Sequence, residues 1–429
     1  MNKLTPGGNS GGRAGWKRLA RISAILFVGA ILHACAMLPR LAAVPPALTE
    51  KAAIPGIPRA RFWLDGDLGP FIQSAVQANR RESEALATAG KPNAPMPPVR
   101  LLAISGGGDG GAFASGLLGG WTACGTRPVF TVVTGVSAGA LIAPFAFLGS
   151  RYDDVLRKVS TSVAVEDIFR QHNVLVGLSR DGMADSTPLS RIIAKYVTPQ
   201  VLAEIAGEFS RGRALLIETT DLDSGRPVTW DMGAIAASGA AGSLELFRKI
   251  VLASSSVPGV VSPVMIDVEI DGTHYQEMHV DGGVINQVFL YPATSVAKMS
   301  RLAGEPFRRE IQIFVIRNGR LEPEWLESKR RTLRIGARAI GMLIQAQGFS
   351  DLSRIYLTAR QDKADFNLAY IDSGFNYPHD AEFDTEYMRR LFDYSYALGS
   401  GGYPWHKTPP SVDSLPFGDR ERVETVTDK

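Results

Sequence analysis

A serine hydroxyl attacks an ester only when a neighbouring base removes its proton. One serine in this sequence has the setting for that. Ser137 stands in Gly135-Val136-Ser137-Ala138-Gly139, after the β-branched run Val129–Thr134 and before a small, apolar run beginning at Ala140. The pattern is G-x-S-x-G, a strand-to-helix corner that lifts a hydroxyl above a sheet. A Cβ at Gly135 or Gly139 would strike the neighbouring strand or helix. The helix that follows aims its first amides at the place where negative charge develops. The bland alternative is a packing turn; the strand before and helix after favour the corner.

A second element lies one strand earlier. Val99–Ile104 is a short apolar run that stops at Ser105-Gly106-Gly107-Gly108-Asp109-Gly110-Gly111. Consecutive glycines at a strand end expose backbone N–H groups, which suit a phosphate or an oxyanion. The Gly-Lys-Ser/Thr ending of a P-loop is missing, and so is the spacing of a dinucleotide fingerprint. With a serine corner on the next strand, Gly106, Gly107 and Gly108 read as an oxyanion hole.

The third requirement is a base. The six histidines are His33, His172, His274, His279, His379 and His406. None occupies the late, glycine-flanked loop that a serine–histidine hydrolase uses. His279 falls inside a strand pattern, and His379 follows Asn-Tyr-Pro and reads as a surface turn. Asp281-Gly282-Gly283 has the right setting, an acid at the end of an apolar strand with two glycines that allow close approach. An aspartate is a weak base at its ordinary pKa of about 3.9, and burial raises it towards usefulness. Alone, Asp-Gly-Gly is most often a turn.

These three sites need elements to carry them. Strand 99–104, helix 111–121, strand 129–134 and a second small-residue helix alternate, which is the signature of a mainly parallel sheet covered on both faces. Pro144 should bend or shorten that second helix. Residues 214–220 read as a strand with a neighbour at 228–230. Residues 264–270 and 275–280 form a hairpin turning at Asp271-Gly272. Residues 311–316 add another buried strand, and 324–347 and 381–397 have helical periodicity. The fold class is three-layer α/β/α.

The 429 residues are 45% apolar and 21% charged, which is the composition of a globular protein with a substantial core. The net charge of +3 comes from the first 34 residues, which hold Lys3, Arg13, Lys17, Arg18 and Arg21 and no acid. The remainder is slightly acidic and has no basic, aromatic-interleaved patch, so no nucleic-acid partner is expected. No Cys/His/carboxylate group has ligand spacing, so no metal or organic cofactor is expected.

The apolar run Ile22–Leu32 follows that basic lead and is short for a stable membrane anchor, so residues 1–34 read as a signal peptide. Leu32-His33-Ala34-Cys35 resembles a bacterial lipoprotein signal, with Cys35 the residue to be cleaved at and lipidated. Ala36 in place of an acid resembles the outer-membrane-sorted pattern, and the expected location is the outer membrane facing the periplasm. Cys124 then has no disulfide partner and reads as a buried bystander. Residues 35–60 read as a Pro/Ala-rich tether and 61–98 as a helical preamble and loop. The catalytic core is expected at 99–320, a C-terminal helical part at 321–403, and a tail of little order at 404–429.

Taken in order, the motifs resemble the patatin-like phospholipase family. "SGGGDGGAFASGLL" is similar to its glycine-rich loop and following helix, "GVSAGAL" to its nucleophile corner, and "VDGG" to its Asp-Gly-Gly/Ala motif. "LASSSVPGVVSPV" and "TTDLDSGRPVTWDMG" add two mid-domain stretches, so the likeness spans roughly 99–320. It implies a serine–aspartate dyad with no catalytic histidine, Ser137 the nucleophile and Asp281 the base. Gly106, Gly107 and Gly108 would line the oxyanion hole. One departure is Asp109, where many members carry Arg or Lys. The implied reaction is hydrolysis of a membrane-lipid acyl ester through an acyl-serine. Two rivals remain at this stage: a histidine-dependent esterase or thioesterase, and a non-catalytic envelope lipoprotein on a degenerate hydrolase fold.

Overall fold

Period-two apolar runs separated by glycine turns build a central sheet. The computed structural model describes residues 40–171, 181–290, 309–322, 332–379 and 382–410. The expected signal segment, Cys35, His33 and His172 lie outside the described residues.

The sheet has nine strands: β1 (Arg61–Phe62), β2 (Val99–Ile104), β3 (Val132–Gly135), β4 (Ala214–Asp221), β5 (Arg226–Asp231), β6 (Val264–Ile270), β7 (Thr273–Asp281), β8 (Ile311–Arg317) and β9 (Asp365–Tyr370). The order along the main path is β1-β5-β4-β3-β2-β8-β9. The five strands from β4 to β9 on that path are parallel to their neighbours. The β1, β5, β6 and β7 pairings are antiparallel. Alternation assigns each residue its layer. Leu102, Ile104, Phe314 and Ile316 enter one core, while Leu101, Ala103, Ile313 and Val315 enter a second core on the opposite face. The first face is covered by α2 (Gly111–Ala123), α3 (Ala138–Leu148), α4 (Ser243–Ser254) and α6 (Thr385–Ser400); α1 is Gly69–Thr88. On the second face α5 (Thr332–Gln361) packs through Leu352, Ile355, Tyr356 and Ala359. Each such side chain, fully buried, contributes roughly 1.5–3 kcal/mol.

One feature of this sheet positions the chemistry. β3 pairs with Ala214–Ile217 of β4, running parallel to it. β7 pairs with Thr219–Asp221, running antiparallel. β5 occupies β4 over Leu216–Asp221. A strand has only two edges, so β3 and β7 share the other one. They run towards each other along it and stop on either side of Glu218. Gly135 at the end of β3 faces Ile217, and Asp281 at the end of β7 faces Thr219.

Several sequence expectations need correction. Residues 40–60 are no loose tether over the described span. Ala52, Ile54, Ile57 and Ala60 are buried in the main core, Ala53 bridges Glu269, and Arg40 pairs with Asp223. Proline and alanine obscured the four apolar contacts that dock this segment. β1 adds an edge to the sheet inside the supposed helical preamble. β9 is a sheet strand in the C-terminal part expected to be helical. Past residue 404, Trp405 packs on Trp121 and Phe314, and His406 bridges Leu368. Pro144 lies within α3 without ending it. Cys124 is half-buried and accepts a hydrogen bond from Thr126 Oγ1.

Candidate active site

β3 ends at Gly135 and α3 begins at Ala138, which leaves Ser137 on the corner with φ 54° and ψ −122°. That conformation is costly for any residue with a Cβ, by roughly 1–3 kcal/mol, and persists only where the surroundings enforce it. Here they do. A Cβ on Gly139 would lie 2.2 Å from the carbonyl oxygen of Ile104 on β2. A Cβ on Gly135 would lie 2.4 Å from the Gly139 carbonyl and 2.8 Å from Ala143 Cβ. Strand and helix are thus in backbone contact, and the serine is the only side chain the turn can present.

Ser137 Oγ donates to Asp281 Oδ2 at 2.6 Å, across 144 residues of chain. The other carboxylate oxygen, Oδ1, accepts from the Gly283 amide at 2.7 Å. Asp281 is only 4% exposed. Burial pushes its pKa up to about 6, against the opposing effect of the Ser137 and Gly283 hydrogen bonds. Gly282 is required by approach, since its Cβ would lie 2.5 Å from the Glu218 carbonyl. Gly283 is crowded by Gln287 Nε2 and Asp281 Oδ1 at 2.8 and 2.9 Å.

Three consecutive serines clamp both partners. Ser254 Oγ accepts from the Ser137 amide at 3.0 Å and donates to the Glu218 carbonyl at 2.7 Å. Ser255 Oγ donates to the Ser137 carbonyl, and the Ser256 carbonyl accepts from the Asp281 amide. The nucleophile's own N–H is therefore engaged, and oxyanion donors must come from elsewhere.

The glycine loop supplies candidates, with one correction. The Gly106 amide donates to the Gln287 carbonyl at 2.9 Å, so it has nothing to offer an oxyanion. Gly106 instead gives clearance, because its Cβ would come within 3.1 Å of Ser137 Cβ. The amides of Gly107 and Gly108 donate to no group among the described residues. Both residues have positive φ, at 147° and 56°. Ala138, at the first turn of α3, likewise has no partner for its amide among the described residues.

Asn318, just past β8, is a positioning residue that sequence reasoning missed. Its amide donates to Ser105 Oγ, its Nδ2 to the Ser105 carbonyl, and its Oδ1 accepts from Ala114 in α2. Its carbonyl lies 2.0 Å and 2.5 Å from where Cβ atoms of Gly107 and Gly110 would stand. The only sequence signal was an Asn-Gly dipeptide closing an apolar strand.

Asp109, the acid standing where the family resemblance led one to expect a cation, is 7% exposed. Its Oδ2 accepts from the Phe383 amide at 2.8 Å and lies 2.7 Å from His379 Nε2. It closes the loop against His379 and Phe383. His379 is thus a structural partner rather than a bare surface turn. His279 is fully buried, with Nδ1 at Thr219 Oγ1 and Nε2 at Glu277, so both ring nitrogens are committed.

A second polar layer supports the base. Asp351 of α5 accepts from the Gln287 and Val288 amides, and Gln287 Nε2 donates to the Gly283 carbonyl. Asn286 donates to Glu218 Oε1, and burial holds the Glu218 carboxyl up to about 8, neutral at pH 7. Phe113, Leu117, Phe145, Phe147 and Phe289 are core residues. The apolar cavity beneath α1, lined by Phe71, Leu101, Val132 and Leu216, lies towards the opposite strand ends and includes no member of the site. No group of three or more His, Cys, Asp or Glu side chains fit to hold a metal occurs among the described residues. No helix among them is long and apolar enough to cross a membrane.

Residues 102–294 match the family model for patatin-like phospholipase. Over that stretch the chain is similar to a patatin-like phospholipase domain. The match spans both glycine-rich corners and the Asp281 turn. It supports an ester-hydrolysing enzyme of the lipid acyl hydrolase kind, and the mainly parallel α/β/α architecture is patatin-like. Among solved structures, VipD from Legionella pneumophila is similar over 72% of this chain and 67% of its own, with 10% sequence identity and a TM-score of 0.34. No curated protein matches the chain.

Proposed function

We propose that this patatin-like domain is a phospholipase A-type serine hydrolase working with a Ser137–Asp281 dyad. The observation that carries the reading is the 2.6 Å contact between Ser137 Oγ and Asp281 Oδ2 in a buried setting. Asp281 accepts the Ser137 proton as Oγ attacks the acyl carbonyl, and the Gly107 and Gly108 amides receive the developing oxyanion. Asp281 then returns the proton to the leaving alcohol. A water, deprotonated by the same carboxylate, releases the fatty acid from acyl-Ser137. Support for a carboxylate base comes from its pKa of about 6, since an aspartate near its ordinary value would hold a proton too weakly.

The proposal includes location. The basic lead, the Ile22–Leu32 run and Cys35 support a lipid-anchored protein on the outer membrane facing the periplasm, beside its membrane-lipid substrate. No metal or organic cofactor enters the chemistry.

A fluorophosphonate probe tests the nucleophile: the native protein is labelled and Ser137→Ala is not. Asp281→Asn, isosteric with the native residue, should lower kcat on a phospholipid by about 10³-fold or more with an unchanged circular dichroism spectrum. Full activity in Asp281→Asn, with loss in His279→Ala, would transfer the base to the imidazole.

A further inference from the structure

The amino-terminal half of α5 leaves the body of the protein. Ile335, Ile340, Met342, Leu343 and Ile344 are between 39% and 69% exposed, and every residue from Ala339 to Ile344 is exposed. At 3.6 residues per turn these positions span roughly 200° of the helix, and Arg338 and Gln345 lie on the remaining arc. An apolar arc that wide ordinarily faces a core or another apolar phase. The carboxyl-terminal half has found its cover in the second core, through Leu352 and Ile355.

We infer that this projecting half of α5, with Val284, is the surface by which the enzyme seats on an anionic lipid bilayer. The inference rests on the lipid-hydrolase reading for the identity of the partner and adds how that partner is met. Charge selects the occupant. From Lys329 to Ser350 the sequence holds Lys329, Arg330, Arg331, Arg334 and Arg338 and no acid. A cationic lead into an apolar helix favours an anionic lipid surface, by about 1 kcal/mol for each charge near it. The same cations disfavour stacking one copy on another. The apolar stretch is too short to span a bilayer, so the helix seats at the interface.

The surface is also joined to the dyad. Gln347 Nε2 donates to the Ile285 carbonyl, and Asp351, one turn on, holds the Gln287 amide. Val284, 44% exposed, lies in the same turn, three residues after Asp281. A helix anchored in lipid at residues 340–344 therefore sets the height and tilt of the turn that carries the base.

The test uses the full chain with Ser137→Ala, which keeps vesicles intact, and with Cys35→Ser and Cys124→Ser, which leave one site for labelling. An environment-sensitive fluorophore attached through Leu343→Cys should shift to the blue on vesicles of phosphatidylglycerol and phosphatidylcholine, and less on phosphatidylcholine alone. The same label attached through Val129→Cys, 71% exposed at the far end of the sheet, should not shift. No shift at position 343, or the same shift on raising protein concentration without vesicles, overturns the inference; the latter would make the face a contact between copies. In the active enzyme, Leu343→Glu should lower turnover of anionic vesicles by about tenfold or more and spare a dissolved short-chain ester. Equal loss on both substrates also overturns it. If the native enzyme cleaves neither substrate, the hydrolase reading fails, and the fluorescence arm still decides the docking.

Discussion

The ends of β2 and β3 look alike in sequence and are built differently. Both are parallel strands that stop at glycines and hand over to a helix of small residues. At the β3 end, the shape of the turn is set within it and by the adjoining strand β2, with Ser254 and Ser255 clamping the result. Gly135 and Gly139 are forced by collisions within and beside a five-residue turn, and the serine between them takes the only conformation left. At the β2 end, the geometry is held from far away. Asn318 lies under Gly107 and Gly110, and His379 and Phe383 close on Asp109. The nucleophile's turn is legible in a five-residue motif, whereas the oxyanion loop is shaped by residues more than two hundred positions downstream. A short motif can therefore identify a nucleophile without describing the loop that serves it.

Substitutions can sharpen or break that contrast. The largest effect is expected from Gly139→Ala, whose Cβ would sit 2.2 Å from backbone that cannot yield. It should abolish fluorophosphonate labelling and lower the melting temperature. Gly108→Ala is its counterpart at the other strand end. The nearest atom is Phe383 Cζ at 3.7 Å, so only the positive φ is penalised, by roughly 1–2 kcal/mol, and labelling should persist. Equal damage from both would erase the distinction.

Next in size is the pH profile. With Asp281 raised to about 6, the base is active when deprotonated, so kcat/KM should rise about tenfold per pH unit below pH 6 and level off above it. A plateau reaching down to pH 4 would mean that burial does not control the base. Asn318→Ala should lower kcat by roughly ten- to a hundredfold while labelling of Ser137 persists at a reduced rate, because the loop loses the two hydrogen bonds of the Asn318 side chain and the nucleophile loses none. Unchanged kcat would detach Asn318 from the loop's function. The smallest change is expected from His379→Gln. It leaves the Phe383 amide on Asp109, and a two- to threefold loss of kcat, measured on one soluble ester, would fit a clasp with a second fastening.

How much could be read in advance follows the same division. The strands at 99–104, 214–220, 264–270 and 311–316 were legible because alternation and β-branched content are local properties. Ser137 and Asp281 were legible because glycine sits where backbones touch. Asn318 was not, since a single asparagine after a strand carries no trace of the loop it supports. The burial of residues 52–60 was hidden by flanking prolines, and β9 by Asp365 and Asn367, which interrupt its apolar run. The occupied amide of Gly106 depends on where the Gln287 carbonyl falls, which only the assembled sheet decides.

The head-on arrangement of β3 and β7 along one edge of β4 has a consequence for how such a protein can diverge. β4 acts as a ruler with two marks, Ile217 and Thr219, that sets the spacing of the reacting oxygens. The length of chain looping out between the marks does not enter. Inserts between residues 149 and 213 can grow or shrink and remodel what the enzyme accepts, while the proton still travels the same short path.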